Sequence, residues 1–232
     1  MSIIRRYLSD LAALFFVDTC AGCETPLVTG EQAICTACWY HLPDTRTHGD
    51  PQNSGSRLLW GRVHIEAVAS YWYFRDDSRV KRIVHQLKYR NRPEIGTIIG
   101  RRYGAILAET TPFNQTDVIV PVPLHPKKLR KRGYNQSAFF AWGLAQSMDL
   151  PVAEQGMKRI KDSESQTHKN RYERYENMIK TFEVHDPSAI DGRHVLLVDD
   201  VLTTGATLEA CAQVLWKHGA AKVSAVTIAK AL

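Results

Sequence analysis

The stretch "HVLLVDDVLTTGAT" occupies His194 to Thr207. Its apolar run, Val195 to Val198, is bounded by polar residues. It reads as a strand buried on both faces of a parallel sheet. Two adjacent acids, Asp199 and Asp200, follow directly. Side by side they repel each other and cost desolvation, and they fall at the carboxyl end of a strand, where open α/β sheets bind ligands. Next comes a hydroxyl-rich turn and a helix from Ala206. Backbone N–H groups at a helix N-terminus hold phosphate. Gly205 lets the chain turn tightly, and Thr203, Thr204 and Thr207 add hydroxyl donors. The carboxylates would repel a bare phosphate. A sugar phosphate can instead donate its hydroxyls to the acids while its phosphate docks in the turn, which points to a ribose 5-phosphate. Neither G-x-x-x-x-G-K nor G-x-G-x-x-G is present.

Outward from this motif, strands alternate with helices. Strands are predicted over Glu66–Phe74, Asp117–Pro123, a short "MKRI" segment, His194–Asp200 and the final "KVSAVTIAKAL". Helices are predicted in "DSRVKRIVHQLKYR", capped by Asp77 or Ser78, and over about 94–108, 136–148, 168–178 and 206–218, the last ended by Gly219. A basic loop, "LHPKKLRKRGYNQ", follows the second strand. The fold class is α/β, a parallel sheet flanked by helices.

Cys20, Cys23, Cys35 and Cys38 form C-x2-C-x11-C-x2-C. Two such knuckles can aim four soft ligands at one point, which suits structural zinc. Two disulfides or a redox pair are the alternatives. Four thiolates would close the coordination sphere, so the ion would be structural. Cys211 stands apart on a predicted helix and reads as a small buried apolar residue.

The chain has 232 residues, 44% hydrophobic and 23% charged, with a net charge of +6. Residues 1–50 carry three bases and six acids, 75–103 nine bases and three acids, and 127–132 five bases and no acid. This asymmetry suggests a polyanionic partner, a solvated basic surface being the alternative. No stretch reaches the ~20 apolar residues of a membrane span. The start, "MSIIRRYLSDLAALFFVDTC", mimics a signal peptide, but its apolar core is short and it has no Ala-x-Ala-like site. It reads as an amphipathic helix, and the chain as cytoplasmic. The expected organisation is a helix over 1–19, a cysteine module over 20–43, a linker over 44–57 and a sheet domain over 58–232.

"VLLVDDVLTTGAT" is similar to the phosphoribosyl pyrophosphate (PRPP) signature of type I phosphoribosyltransferases. The cysteine module, "HQLKYR" (His85–Arg90), "PVPLHPKKLRKRGYNQSAFFA" (Pro121–Ala141), "SQT" (Ser165–Thr167), "RYEN" with the later Phe182, and the signature follow in one order. Together they resemble the ComF/GntX family of competence-related proteins from about Cys20 to Lys230.

The resemblance implies that Asp199 and Asp200 contact the ribose hydroxyls. Val201, Leu202, Thr203, Thr204, Gly205, Ala206 and Thr207 would hold the 5-phosphate. A pyrophosphate loop would start at Pro123, Leu124 and His125, and a mobile hood would carry Gln166 and Thr167. Lys88, Lys127, Lys128, Arg130, Lys131 and Arg132 would contact pyrophosphate or DNA phosphates. The implied reaction displaces pyrophosphate at the anomeric carbon. Mg²⁺ and basic side chains would stabilise the leaving group, and carboxylates the cationic sugar. The implied partners are PRPP, single-stranded DNA and DNA-processing proteins such as a helicase or recombination mediator, in natural transformation. A PRPP sensor without turnover and a DNA-binding adaptor remain the alternatives.

Overall fold

The computed structural model describes residues 18–76, 78–160 and 181–232. Nearly all of the helix expected over 1–19 lies outside them, as do Asp77, the hood residues Gln166 and Thr167, and the helix expected from His168 to Met178.

Four parallel strands form the main sheet. They are β1 (Val68–Phe74), β2 (Val118–Pro121), β5 (His194–Leu202) and β6 (Lys222–Ala231), in the order β1-β6-β5-β2. The period-2 alternation of strands divides the sheet's side chains between two cores. Leu196, Val198, Val226 and Ile228 enter the core on one face; Val195, Leu197, Val223 and Ala225 enter the other. Burial on both faces explains why these strands read as unbroken apolar runs.

The first face is covered by α3 (Arg79–Tyr89), α4 (Glu94–Leu107) and α6 (Gln136–Met148). Ser78 caps α3 by accepting from the Lys81 N–H at 3.2 Å, and Val80, Ile83, Val84 and Leu87 form its buried stripe. α4 and α6 cross in backbone contact, because a Cβ at Gly100 would overlap the Phe140 carbonyl and one at Gly143 the Thr97 carbonyl. The second face packs on α7 (Ala206–Lys217) and the antiparallel pair of β3 (Met157–Arg159) and β4 (Phe182–Val184). Gly219, at φ 85°, stops the chain just past α7.

The cysteine module shares the first core. Cys20, Ala21, Ile34 and Cys38 pack in one cluster with Trp72 and Ile83. It contains α1 (Thr36–His41), and Trp39 sits 5.5 Å from Trp72 with the Arg102 guanidinium 4.6 Å over its ring. Residues 44–57, read as a linker from their composition, contain a 3-10 turn (Thr47–Gly49) and the short α2 (Ser54–Arg57). Their polar groups bond the open edge of β1. Thr47 Oγ1 donates to the Ser70 carbonyl at 3.1 Å, Asn53 Nδ2 donates to the Val68 carbonyl at 2.7 Å, and the Thr45 N–H donates to the Tyr71 carbonyl at 3.0 Å. A sheet edge needs such partners, and turn-forming residues supply them.

Candidate functional site

The strand that carries the acids runs further than its apolar stretch. β5 continues to Leu202, because β6 is long enough to pair Asp199 with Thr227 and Leu202 with Lys230. Both acids are therefore held in a rigid strand. Asp200 is 5% exposed and Asp199 half-buried.

Each acid finds donors at the start of α6. Gln136 Nε2 donates to Asp200 Oδ2 at 2.5 Å, and Ser137 Oγ donates to Asp199 Oδ1 at 3.1 Å. The Asp200 N–H also reaches Asp199 Oδ1 at 2.8 Å, and Lys88 Nζ lies 2.9 Å from Asp200 Oδ1. Burial, and next the neighbouring Asp200 carboxylate, push the Asp199 carboxyl up to about 7, against hydrogen bonds and Lys88 that act the other way. The site thus presents a carboxyl poised near neutrality beside an ion-paired carboxylate.

The turn after β5 faces outward at Thr203 and Thr204, while Gly205 is buried at φ 76° and N-caps α7. A Cβ there would lie 2.8 Å from Leu59 Cδ2. Helix geometry leaves the first N–H groups of α7 without intrahelical acceptors, so the turn offers donors within one chain reversal of the acids. Glu209, in the first turn of α7, pairs with Arg62 and is sealed at 5% exposure.

The segment expected as a basic loop is a helix, α5 (Pro126–Arg132). Pro126 sits in its first turn, Gly133 ends it at φ 86°, and the His125 ring accepts the Lys127 N–H at 3.3 Å. Local capping and a Pro/Gly bracket therefore override the loop reading. Pro123 and His125 are buried and Leu124 half-buried where β2 ends. Lys127, Lys128, Arg130 and Lys131 are exposed, and none pairs with an acid among the described residues. Arg132 turns inward, donates to Gln136 Oε1 and lies 5.3 Å over the Tyr89 ring. Val201 and Leu202 belong to the strand, and Ala206 and Thr207 begin α7.

Sequence reasoning missed Gln136, Ser137, Arg62 and Glu209 as neighbours of the site. "NQS" opening a helix straight after a basic run was a readable signal for the first two; nothing local marked Arg62.

Away from the sheet, the ligand atoms of Cys20, Cys23, Cys35 and Cys38 all lie within 4.8 Å of one another. Backbone N–H groups point at the sulfurs: Gly22 to Cys20 at 3.4 Å, Cys35 to Cys20 at 3.2 Å and Cys38 to Cys35 at 3.4 Å. Such N–H···S contacts stabilise thiolates. A Cβ at Gly22 would crowd Cys38 Sγ at 3.0 Å. All four cysteines are free, and the cluster can hold a tetrahedral metal ion. Cys211 is fully buried. Among the described residues no helix is long and apolar enough to cross a membrane.

Residues 135–232 match the phosphoribosyl transferase domain. The DNA utilization protein YhgH of Salmonella typhi is 32% identical over 229 residues, covering 92% of this chain and 97% of that protein. YhgH of Escherichia coli K12 is 29% identical over 231 residues, with the same coverage. The competence protein ComFC of Bacillus subtilis 168 is 30% identical over 212 residues, covering 90% of this chain and 82% of the relative.

Proposed function

This chain belongs to the ComF/GntX family, and from that premise we propose that it binds PRPP with Mg²⁺ at the β5–α7 turn and serves natural transformation. The observation that carries the reading is the sequence of groups along one chain reversal. Asp199 and Asp200 supply acceptors for ribose hydroxyls, and the Thr203–Thr207 turn supplies N–H and hydroxyl donors for the 5-phosphate. The buried Gly205 keeps the two sets close. Pro123, Leu124 and His125, just past the end of β2, would face the pyrophosphate. Mg²⁺ would enter with the pyrophosphate and supply charge neutralisation there.

In a transfer reaction the carboxylates would favour positive charge developing on the sugar, and the cations of α5 would attract the departing pyrophosphate. No side chain in the described site declares itself as a general base for an acceptor. Titration calorimetry with PRPP and Mg²⁺ tests the binding. Saturable binding by the native chain, lost in the folded Asp199→Asn/Asp200→Asn variant, supports the reading; unchanged affinity in that variant removes it. Release of pyrophosphate separates a transferase from a sensor.

The cysteine module over 20–43 would be closed around structural zinc. Four soft ligands with no open position leave a site nothing to do in catalysis.

A second reading, contact with single-stranded DNA, draws on the surface beside the site. Four cations of α5 pair with no acid among the described residues, and the Tyr89 ring is 64% exposed with the Arg132 guanidinium against it. Bases stack on such rings while cations hold the backbone. Binding that weakens steeply with salt, and weakens further in Tyr89→Ala, is expected. A salt-independent interaction, or none, would dismiss it.

A further inference from the structure

Lys88 stands outside the matched residues 135–232, and the resemblance implies that it is a phosphate contact. Its ammonium lies 2.9 Å from Asp200 Oδ1, with side-chain exposures of 22% and 8% for the two partners. Gln136 holds the other Asp200 oxygen. Both oxygens of Asp200 therefore already have protein donors. On Asp199 the donors from Ser137 and from the Asp200 backbone both fall on Oδ1. No donor among the described residues reaches Asp199 Oδ2.

The placement of Lys88 is not accidental rotamer choice. The stripe of α3 is buried through Leu87, and the Tyr134 hydroxyl donates to the Leu87 carbonyl, which fixes the last turn of the helix. The next side chain is thereby aimed at β5. Lys88 acts against the upward push that burial and the Asp200 carboxylate exert on Asp199.

We propose that Lys88 is the positioning residue of the carboxylate pair: with Gln136 on the other oxygen it locks Asp200 in place, so that Asp199 Oδ2 is the open acceptor for a ligand hydroxyl. The division of labour deepens the sugar-phosphate reading and rests on it only for the ligand's identity. The groups facing the pair are few. Lys88 comes from α3, Gln136 and Ser137 from α6, the buried Cys211 thiol from α7 and Thr227 from β6, and Arg132 of α5 acts at one remove through Gln136. Among them Lys88 is the one cation in direct contact with either carboxylate.

The test is a titration of the unliganded protein labelled with ¹³C at aspartate carboxyls, with Asp199→Asn used to assign the signals. Lys88→Met is expected to move the Asp199 midpoint up, because Lys88 is one of the groups that hold it down. Lys88→Arg is expected to return it towards the native value. A second measurement follows ribose 5-phosphate binding against pH. Lys88→Met should shift the acid limb of binding upward by the same interval. A packing role alone would lower affinity evenly at every pH and leave the limb in place. Unmoved carboxyl midpoints in Lys88→Met overturn the proposal whatever the ligand does. If the native chain fails to bind ribose 5-phosphate while the midpoints move, the sugar reading falls and the positioning role stands.

Discussion

Arg62 donates to the Thr204 carbonyl at 2.9 Å, across 142 positions of sequence. The same guanidinium pairs with Glu209 and bonds the Leu58 carbonyl at 2.9 Å, while Leu59 packs over Gly205. Residues 58–62 thus strap the turn from behind and leave its outer side to a ligand. A phosphate-binding turn must keep its N–H groups aligned before the anion arrives, and this strap supplies the alignment.

Arg62→Ala is expected to lower stability by about 1–2 kcal/mol, since Glu209 loses its partner while its acid stays buried and the guanidinium is itself half-exposed. It should also weaken ribose 5-phosphate binding. Arg62→Ala/Glu209→Gln should recover most of the stability and none of the affinity, because the orphaned charge is gone but the turn is still unstrapped. Urea titration and calorimetry on the four members of the cycle measure both terms.

Gly205→Ala is expected to fail for two separable reasons. The backbone holds φ 76°, costing an L-residue about 1–2 kcal/mol, and the new Cβ meets Leu59 at 2.8 Å. Adding Leu59→Ala would relieve the contact and leave the backbone cost. If Gly205→Ala alone is as stable as the native chain by urea midpoint, the tight turn is misassigned.

The Asp199 carboxyl, pushed up to about 7 by burial and by Asp200, sets a pH dependence of stability. The folded chain keeps a proton there at pH values where the unfolded chain has released it. Folded and unfolded states differ in protons bound between the ordinary aspartate value, about 4, and about 7. The contribution of this group is therefore full at low pH and is lost as pH rises through that window. Asp199→Asn keeps an acceptor for Ser137 without the charge. It is expected to melt higher than the native chain at pH 8, with the gap closing at pH 5. A gap independent of pH would assign the titration elsewhere.

Metal removal is expected to be felt beyond the cysteines. Cys20 and Cys38 share a core with Trp72 and Ile83, and Trp39 packs tilted against Trp72 in the same cluster. One zinc per chain is expected by elemental analysis and none in Cys35→Ser. Chelation should change tryptophan emission, an effect diminished in Trp39→Phe and lost when Trp72 is replaced as well. Unaltered melting after complete metal removal would contradict a structural role for the ion.

The sheet strands and their following helices were legible in the sequence because burial on both faces leaves an unambiguous apolar run, as at Val195–Val198. The cysteine pairs were legible from spacing alone. What escaped were readings that depend on tertiary context. The extent of β5 past the acids is set by the length of β6, and polar residues 44–57 pack against β1 because an open edge needs partners. α5 formed because His125 and Gly133 cap a stretch that composition alone marks as a loop. Lys88 was noticed as a charge, but the direction it faces is decided by the packing of Leu87 one residue earlier.

The most direct test of the central claim is a crystal structure of the chain with PRPP and Mg²⁺. The account expects the 5-phosphate on the N–H groups of Thr203 to Thr207 and a ribose hydroxyl on the open oxygen of Asp199. Sugar density anywhere else, with the β5–α7 turn empty, would contradict it.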